Sequence, residues 1–110
     1  MRRTRQPQRL GDALRSVRAD AAPATLLAAT QEVWAAVAGP QVAAEAMPVA
    51  ERGGVVTVAC RSAVWAQELD LLQGELLPKL RAALSERGVE PATLTGVRFT
   101  ADAARLEPRR

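Results

Sequence analysis

The feature that most narrows the fold is a change of period at residues 61–62. Before it stands "VVTVAC", a run of apolar and β-branched side chains with apolar residues on both faces. Such a run is a strand central to its sheet and covered on one side. After it, Trp65, Leu69, Leu72, Leu76, Leu80 and Ala83 recur at steps of three and four residues, with Leu77 and Leu84 widening the stripe. That spacing puts them along one side of a helix. Ser62 is placed to cap the helix start, since its hydroxyl can accept from an amide of the first turn. The chain therefore passes from a buried strand straight into a long helix. Gly74 and Pro78 interrupt the stripe. Proline leaves the carbonyl of Gly74 without its helical donor, so the spacing predicts a kink, or two helices in series, near residues 73–78. Gly88 ends the helix.

Upstream, Gly53-Gly54 separates "MPVAE" from "VVTVAC" and suits a tight hairpin, because glycine tolerates positive φ. Residues 47–51 are then an edge strand entered through Pro48. "DAAPATLLAATQEVWAAVAG" reads as a helix with Asp20 as its cap and Pro23 in its first turn. Leu26, Leu27, Thr30, Val33, Trp34 and Val37 form its stripe, and Gly39 and Pro40 stop it. Pro40 opens a second, short helix. "TLTGVRFT" is a third strand, with Val97 and Phe99 on one face and Arg98 on the other. Residues 1–9 have no periodicity, Leu10, Leu14 and Val17 have helical spacing, and residues 101–110 read as a frayed tail. The expected fold is α+β: a small three-stranded mixed sheet with helices packed on one face, in the order α-α-β-β-α-β. Residues 1–19 form a basic arm, 20–100 the domain and 101–110 a short flexible tail.

The residue inventory excludes most chemistry. There is no histidine, so the commonest general base and the commonest nitrogen metal ligand are absent. Cys60 is the single cysteine, which rules out an internal disulfide and reads as a small buried hydrophobe. No phosphate-binding glycine loop precedes a Lys-Ser or Lys-Thr pair. Asp70 with Glu75 and Glu86 with Glu90 are acids on a charged helix surface. The chain reads as a non-enzyme without cofactor or metal. With no apolar leader and no apolar run long enough to span a bilayer, the reading is a cytoplasmic protein that does not enter the membrane. Trp34 and Trp65, both on apolar stripes, are core residues rather than base-stacking platforms.

The positive charge is uneven. Arg2, Arg3, Arg5, Arg9, Arg15 and Arg18 face one acid, Asp12, within the first eighteen residues, while acids slightly outnumber bases after that. A basic arm on a near-neutral domain is an electrostatic footprint for nucleic acid, and equally a solvated tail that aids solubility. Arg61 and Arg98 extend the candidate nucleic-acid-binding set onto the domain, or are ordinary surface charge.

The combination of "VWAAVAGPQVAAEAMPV", "GGVVTVACRSAVWAQELDLLQGELLPKLRAAL" and "GVRF" resembles the DciA family. The matching positions are Trp34, Gly39, Pro48, Ser62, Trp65, Ala66, Glu68, Leu69, Val97, Arg98 and Phe99, with "SAVWAQEL" the most telling element. The resemblance covers roughly residues 25–100. It implies a K-homology-like domain in a bacterial loader or operator of the replicative helicase. It further implies binding to that helicase and to single-stranded or forked DNA, as a monomeric adaptor in the cytoplasm beside the nucleoid. The chain lacks the Gly-x-x-Gly loop with which K-homology domains grip single strands, so nucleic-acid contact falls to arginines. An RNA- or ribosome-associated module and a pure protein–protein scaffold are the competing readings.

Overall fold

The computed structural model describes residues 25–106. The first helix, α1 (Leu26–Ala38), is capped by Thr25, whose Oγ1 accepts from the amide of Ala28 at 3.0 Å. The cap is thus Thr25 rather than Asp20; a threonine directly before the apolar stripe supplies the acceptor where the helix begins. Asp20 and Pro23, like the expected helix at Leu10, Leu14 and Val17, lie outside the described residues. Gly39, at φ 96°, turns the chain, and Pro40 takes the first position of α2 (Pro40–Glu45).

Strands β1 (Ala46–Arg52) and β2 (Val55–Cys60) form an antiparallel hairpin. Its turn has Gly53 at φ 58° and Gly54 at φ 87°, the two positive values a two-residue primed turn needs. The chain then makes α3 (Ala63–Leu71) and α4 (Gln73–Glu86), a short 3-10 turn at Pro91–Thr93, and β3 (Gly96–Ala101). The sheet order is β1-β2-β3, with β3 parallel to β2, so the sheet is mixed and β2 is central. The element order matches the expectation once the long helix is divided in two.

That division falls at Leu72, whose φ −94° and ψ 4° leave the helical region, one residue before the expected window. Pro78 lies inside α4 without ending it. The consequence is for Leu72 itself: the sequence stripe puts it in the core, whereas the break turns it 43% exposed. Ser62 caps α3 as expected, its Oγ accepting from the amide of Trp65 at 3.2 Å. At the other end, the amide of Val89 donates to Leu84 and that of Gly88 to Ser85, a Schellman stop with Gly88 at φ 83°.

Ala46, Pro48, Val56, Val58, Cys60 and Val97 point to one face of the sheet and are buried. The helices cover this face: α1 lies against β1, α3 against β3 and β2, and α4 against α1. Trp34 is fully buried, and its Nε1 donates to the carbonyl of Ala46 at 2.8 Å, tying α1 to the start of β1. Trp65 is half-buried against the same core. Cys60 is buried, as read, and burial pushes its thiol pKa up. The segment expected to fray is ordered at its beginning. The amide of Asp102 donates to Cys60, continuing the β2–β3 ladder, and Ala103–Leu106 forms a 3-10 turn against β1 and β2.

A candidate nucleic-acid interface on the open face of the sheet

The face of the sheet away from the helices owes its character to one irregularity. Ala46 and Pro48 of β1 pair with Cys60 and Val58 and face the core; strict alternation would bring Ala50 and Arg52 to the core as well. A bulge between Pro48 and Ala50 inserts Val49 as an extra residue and inverts the alternation. Ala50 therefore stands beside Thr57, and Arg52 beside Val55, on the open face. Across β2 the parallel register sets Arg98 beside Thr57 and Gly96 beside Val55.

The result is a shallow open depression lined by Ala50, Glu51, Arg52, Val55, Thr57 and Arg98. Its floor is made of small side chains, and exposed Arg52 and Arg98 stand diagonally across it. Two strand spacings and two residues of rise put their Cα atoms about 12 Å apart. The one acid on its rim is directed elsewhere: Glu51 Oε2 accepts from the amide of Gly54 at 2.8 Å, bracing the hairpin.

The other arginines of the described residues are engaged. Arg61 lies 3.4 Å from Glu45, and its backbone amide also donates to the Glu45 carbonyl. Arg81 donates to the carbonyl of Leu94 at 2.9 Å. Arg87 pairs with Glu32 across α1 and α4, and Arg105 pairs with Asp102 at 3.6 Å. Among the described residues, Arg52 and Arg98 take part in no ion pair. The structure thus places Arg98 where its strand alternation predicts, and brings it together with Arg52. It does not bring Arg61 there, because Arg61 follows the far end of β2 and staples that end to α2. Arg2, Arg3, Arg5, Arg9, Arg15 and Arg18 lie outside the described residues.

Sequence reasoning missed Arg52. Its position in a hairpin was legible, but its face depended on the bulge; Pro48, which cannot donate to a ladder, was the available signal. The depression has no buried acid–base pair and no nucleophile. Among the described residues no group of three or more His, Cys, Asp or Glu is arranged to hold a metal ion, and no helix is long and apolar enough to cross a membrane. Chemically, the open face offers two separated cations, a threonine hydroxyl and a flat small-residue floor, which suits an extended polyanion.

Comparison with known proteins agrees with the resemblance. The family model described as "Dna[CI] antecedent, DciA" matches residues 9–91. A UPF0232 protein of Mycobacterium bovis is 35% identical over 94 residues, which is 84% of this chain and 50% of that protein. Another, from Mycolicibacterium paratuberculosis, is 40% identical over 63 residues, 57% of this chain and 35% of its own length. A UPF0232 protein of Rhodococcus jostii is 35% identical over 63 residues, covering 57% of this chain and 34% of its own. The chain thus spans half or less of the length of these relatives. The family match takes in α1, both strands of the hairpin and both helices that follow, and on that extent the chain belongs to the DciA family.

Proposed function

We propose that this protein is a non-enzymatic accessory of DNA replication, which binds the replicative DNA helicase and single-stranded or forked DNA and assists helicase loading. Family membership supports the replicative setting, and the description of the family as an antecedent of Dna[CI] fits it. The observation that carries the nucleic-acid half is the pair Arg52 and Arg98. Among the described residues they are the arginines whose side chains make neither an ion pair nor a hydrogen bond, and they share one open face.

The contact is with the phosphate backbone. Guanidinium groups take phosphate oxygens readily, and such contacts position a strand without reading its sequence. The described aromatic residues serve the core, Trp34 fully and Trp65 and Phe99 in part, so the open face has no base-stacking platform. Arg2, Arg3, Arg5 and Arg9 supply further phosphate contacts from the arm, and Arg15 and Arg18 extend them. Tethering the arm to the domain raises the local concentration of each contact beside the other.

The test uses the intact chain and a form lacking residues 1–18. Fluorescence anisotropy with a labelled single-stranded oligonucleotide should show most of the affinity lost on truncation, with the melting temperature nearly unchanged. Equal affinity of the two forms defeats the role given to the arm. Stronger, salt-sensitive binding to structured RNA than to DNA points to an RNA-associated module. Salt-insensitive or absent nucleic-acid binding points to a scaffold.

A further inference from the structure

The helical layer carries an apolar surface that the fold leaves uncovered. On α3, Val64 and Leu71 lie two turns apart on the solvent side, 69% and 76% exposed, and Leu72 at the α3–α4 junction adds to them. Val64 and Leu71 are out of phase with Trp65 and Leu69, which face the core, and Leu72 joins the exposed pair because the helix breaks there. Exposed Glu68 stands on the same stripe between Val64 and Leu71, and exposed Asp70 and Glu75 flank the junction. Among the described residues none of these acids is ion-paired; Asp70 Oδ1 accepts from Gln73 Nε2 at 3.0 Å.

We propose that the Val64–Leu71–Leu72 surface docks a basic amphipathic helix of a partner protein. This rests on the function proposed above, in which that partner is the replicative helicase. Three features of the surface select the occupant. The acids repel a polyanion, so nucleic acid is excluded, and they attract Lys or Arg on a protein. Val64 and Leu71, seven residues apart on α3, present a ridge two turns long with Leu72 at its end, which fits the groove of a second helix. The ridge also belongs to the layer on the opposite side of the sheet from Arg52 and Arg98. A helicase segment and a DNA strand are therefore held at once without competing, and each raises the effective concentration of the other.

The experiment measures binding of the intact chain to purified replicative helicase and, separately, to a single-stranded oligonucleotide. The variants are Leu71→Ser with Leu72→Ser, Glu68→Lys with Glu75→Lys, and Arg52→Gln with Arg98→Gln. Circular dichroism confirms that each is folded. The leucine pair should lower helicase affinity by about tenfold or more while DNA affinity stays within about twofold. The charge reversal should lower helicase affinity more at low salt than at high salt. The arginine pair should do the converse of the leucine pair, weakening DNA binding alone. Helicase binding by the leucine variant equal to that of the parent overturns the inference. So does a parent dimer that the same variant makes monomeric, since the surface then serves a second copy. A leucine variant that weakens helicase binding only while residues 1–18 are present also overturns it, because the ridge then serves the chain's own arm. If the parent chain fails to bind helicase at all, the proposed function itself falls, and this inference with it.

Discussion

Replacing Arg52 and Arg98 together by glutamine removes two cations from the open face and leaves the packed layer untouched, because both side chains are exposed. Stability should change by less than about 0.5 kcal/mol. Neither guanidinium is held by an acid among the described residues, so their whole contribution should appear in binding. Each phosphate neutralised on single-stranded DNA adds about 0.7 to the steepness of log affinity against log salt. With about four phosphates held by the arm and two by the sheet, the intact chain should show a slope near −4 and the double variant a slope near −3. Between about 50 and 200 mM salt, the advantage of the parent over the variant should shrink roughly sevenfold. Anisotropy titrations of a labelled oligo-dT at four or more salt concentrations measure this directly. An unchanged slope in a folded double variant refutes the placement of phosphate on this face.

Three further predictions concern the scaffold that holds the site. Trp34→Phe removes the donor to the carbonyl of Ala46 at the start of β1, and leaving that carbonyl unpaired should cost about 1–3 kcal/mol in urea unfolding. Gly54→Ala should destabilise by about 2 kcal/mol or more, because a Cβ there would stand 2.7 Å from the Thr93 carbonyl oxygen at φ 87°. Gly53→Asn, in open space at φ 58°, should cost little by comparison. Burial raises the thiol pKa of Cys60 above its ordinary value near 9.0, so above that pH the unfolded chain ionises first. Stability should hold below about pH 9 and decline as pH rises toward the folded value, and Cys60→Ala should flatten that decline in denaturation curves taken across the range.

Much of this scaffold was legible because its signals are local. Ser62 before a helical stripe, paired glycines between apolar runs and Gly88 at the end of a leucine series each fix one backbone event, and each appears where expected. The side of the sheet on which Arg98 stands followed from simple alternation with Val97 and Phe99. What escaped depends on breaks in period. One extra residue at Val49 moves Arg52 from the core side to the open side, and periodicity counted along the chain cannot see an insertion relative to a partner strand. The break at Leu72 does the same for a helix: Leu72 falls on the expected stripe and yet faces water, and Leu71 beside it is more exposed still. The arginine face arises at the first irregularity, and the Leu72 end of the leucine ridge at the second. The ion pairs were likewise hidden, since Arg61 with Glu45 and Arg87 with Glu32 are set by how the elements pack.

The central claim is that the sheet's open face, and not its helical layer, receives the nucleic acid. Amide chemical-shift mapping of the isotope-labelled chain during titration with a short single-stranded oligonucleotide tests it most directly. Within the folded domain we expect the largest shifts at Ala50, Arg52, Val55, Thr57 and Arg98, with Val64, Leu71 and Leu72 unmoved. Shifts concentrated on α3 and α4, or confined to residues 1–18 with the strand residues silent, contradict it.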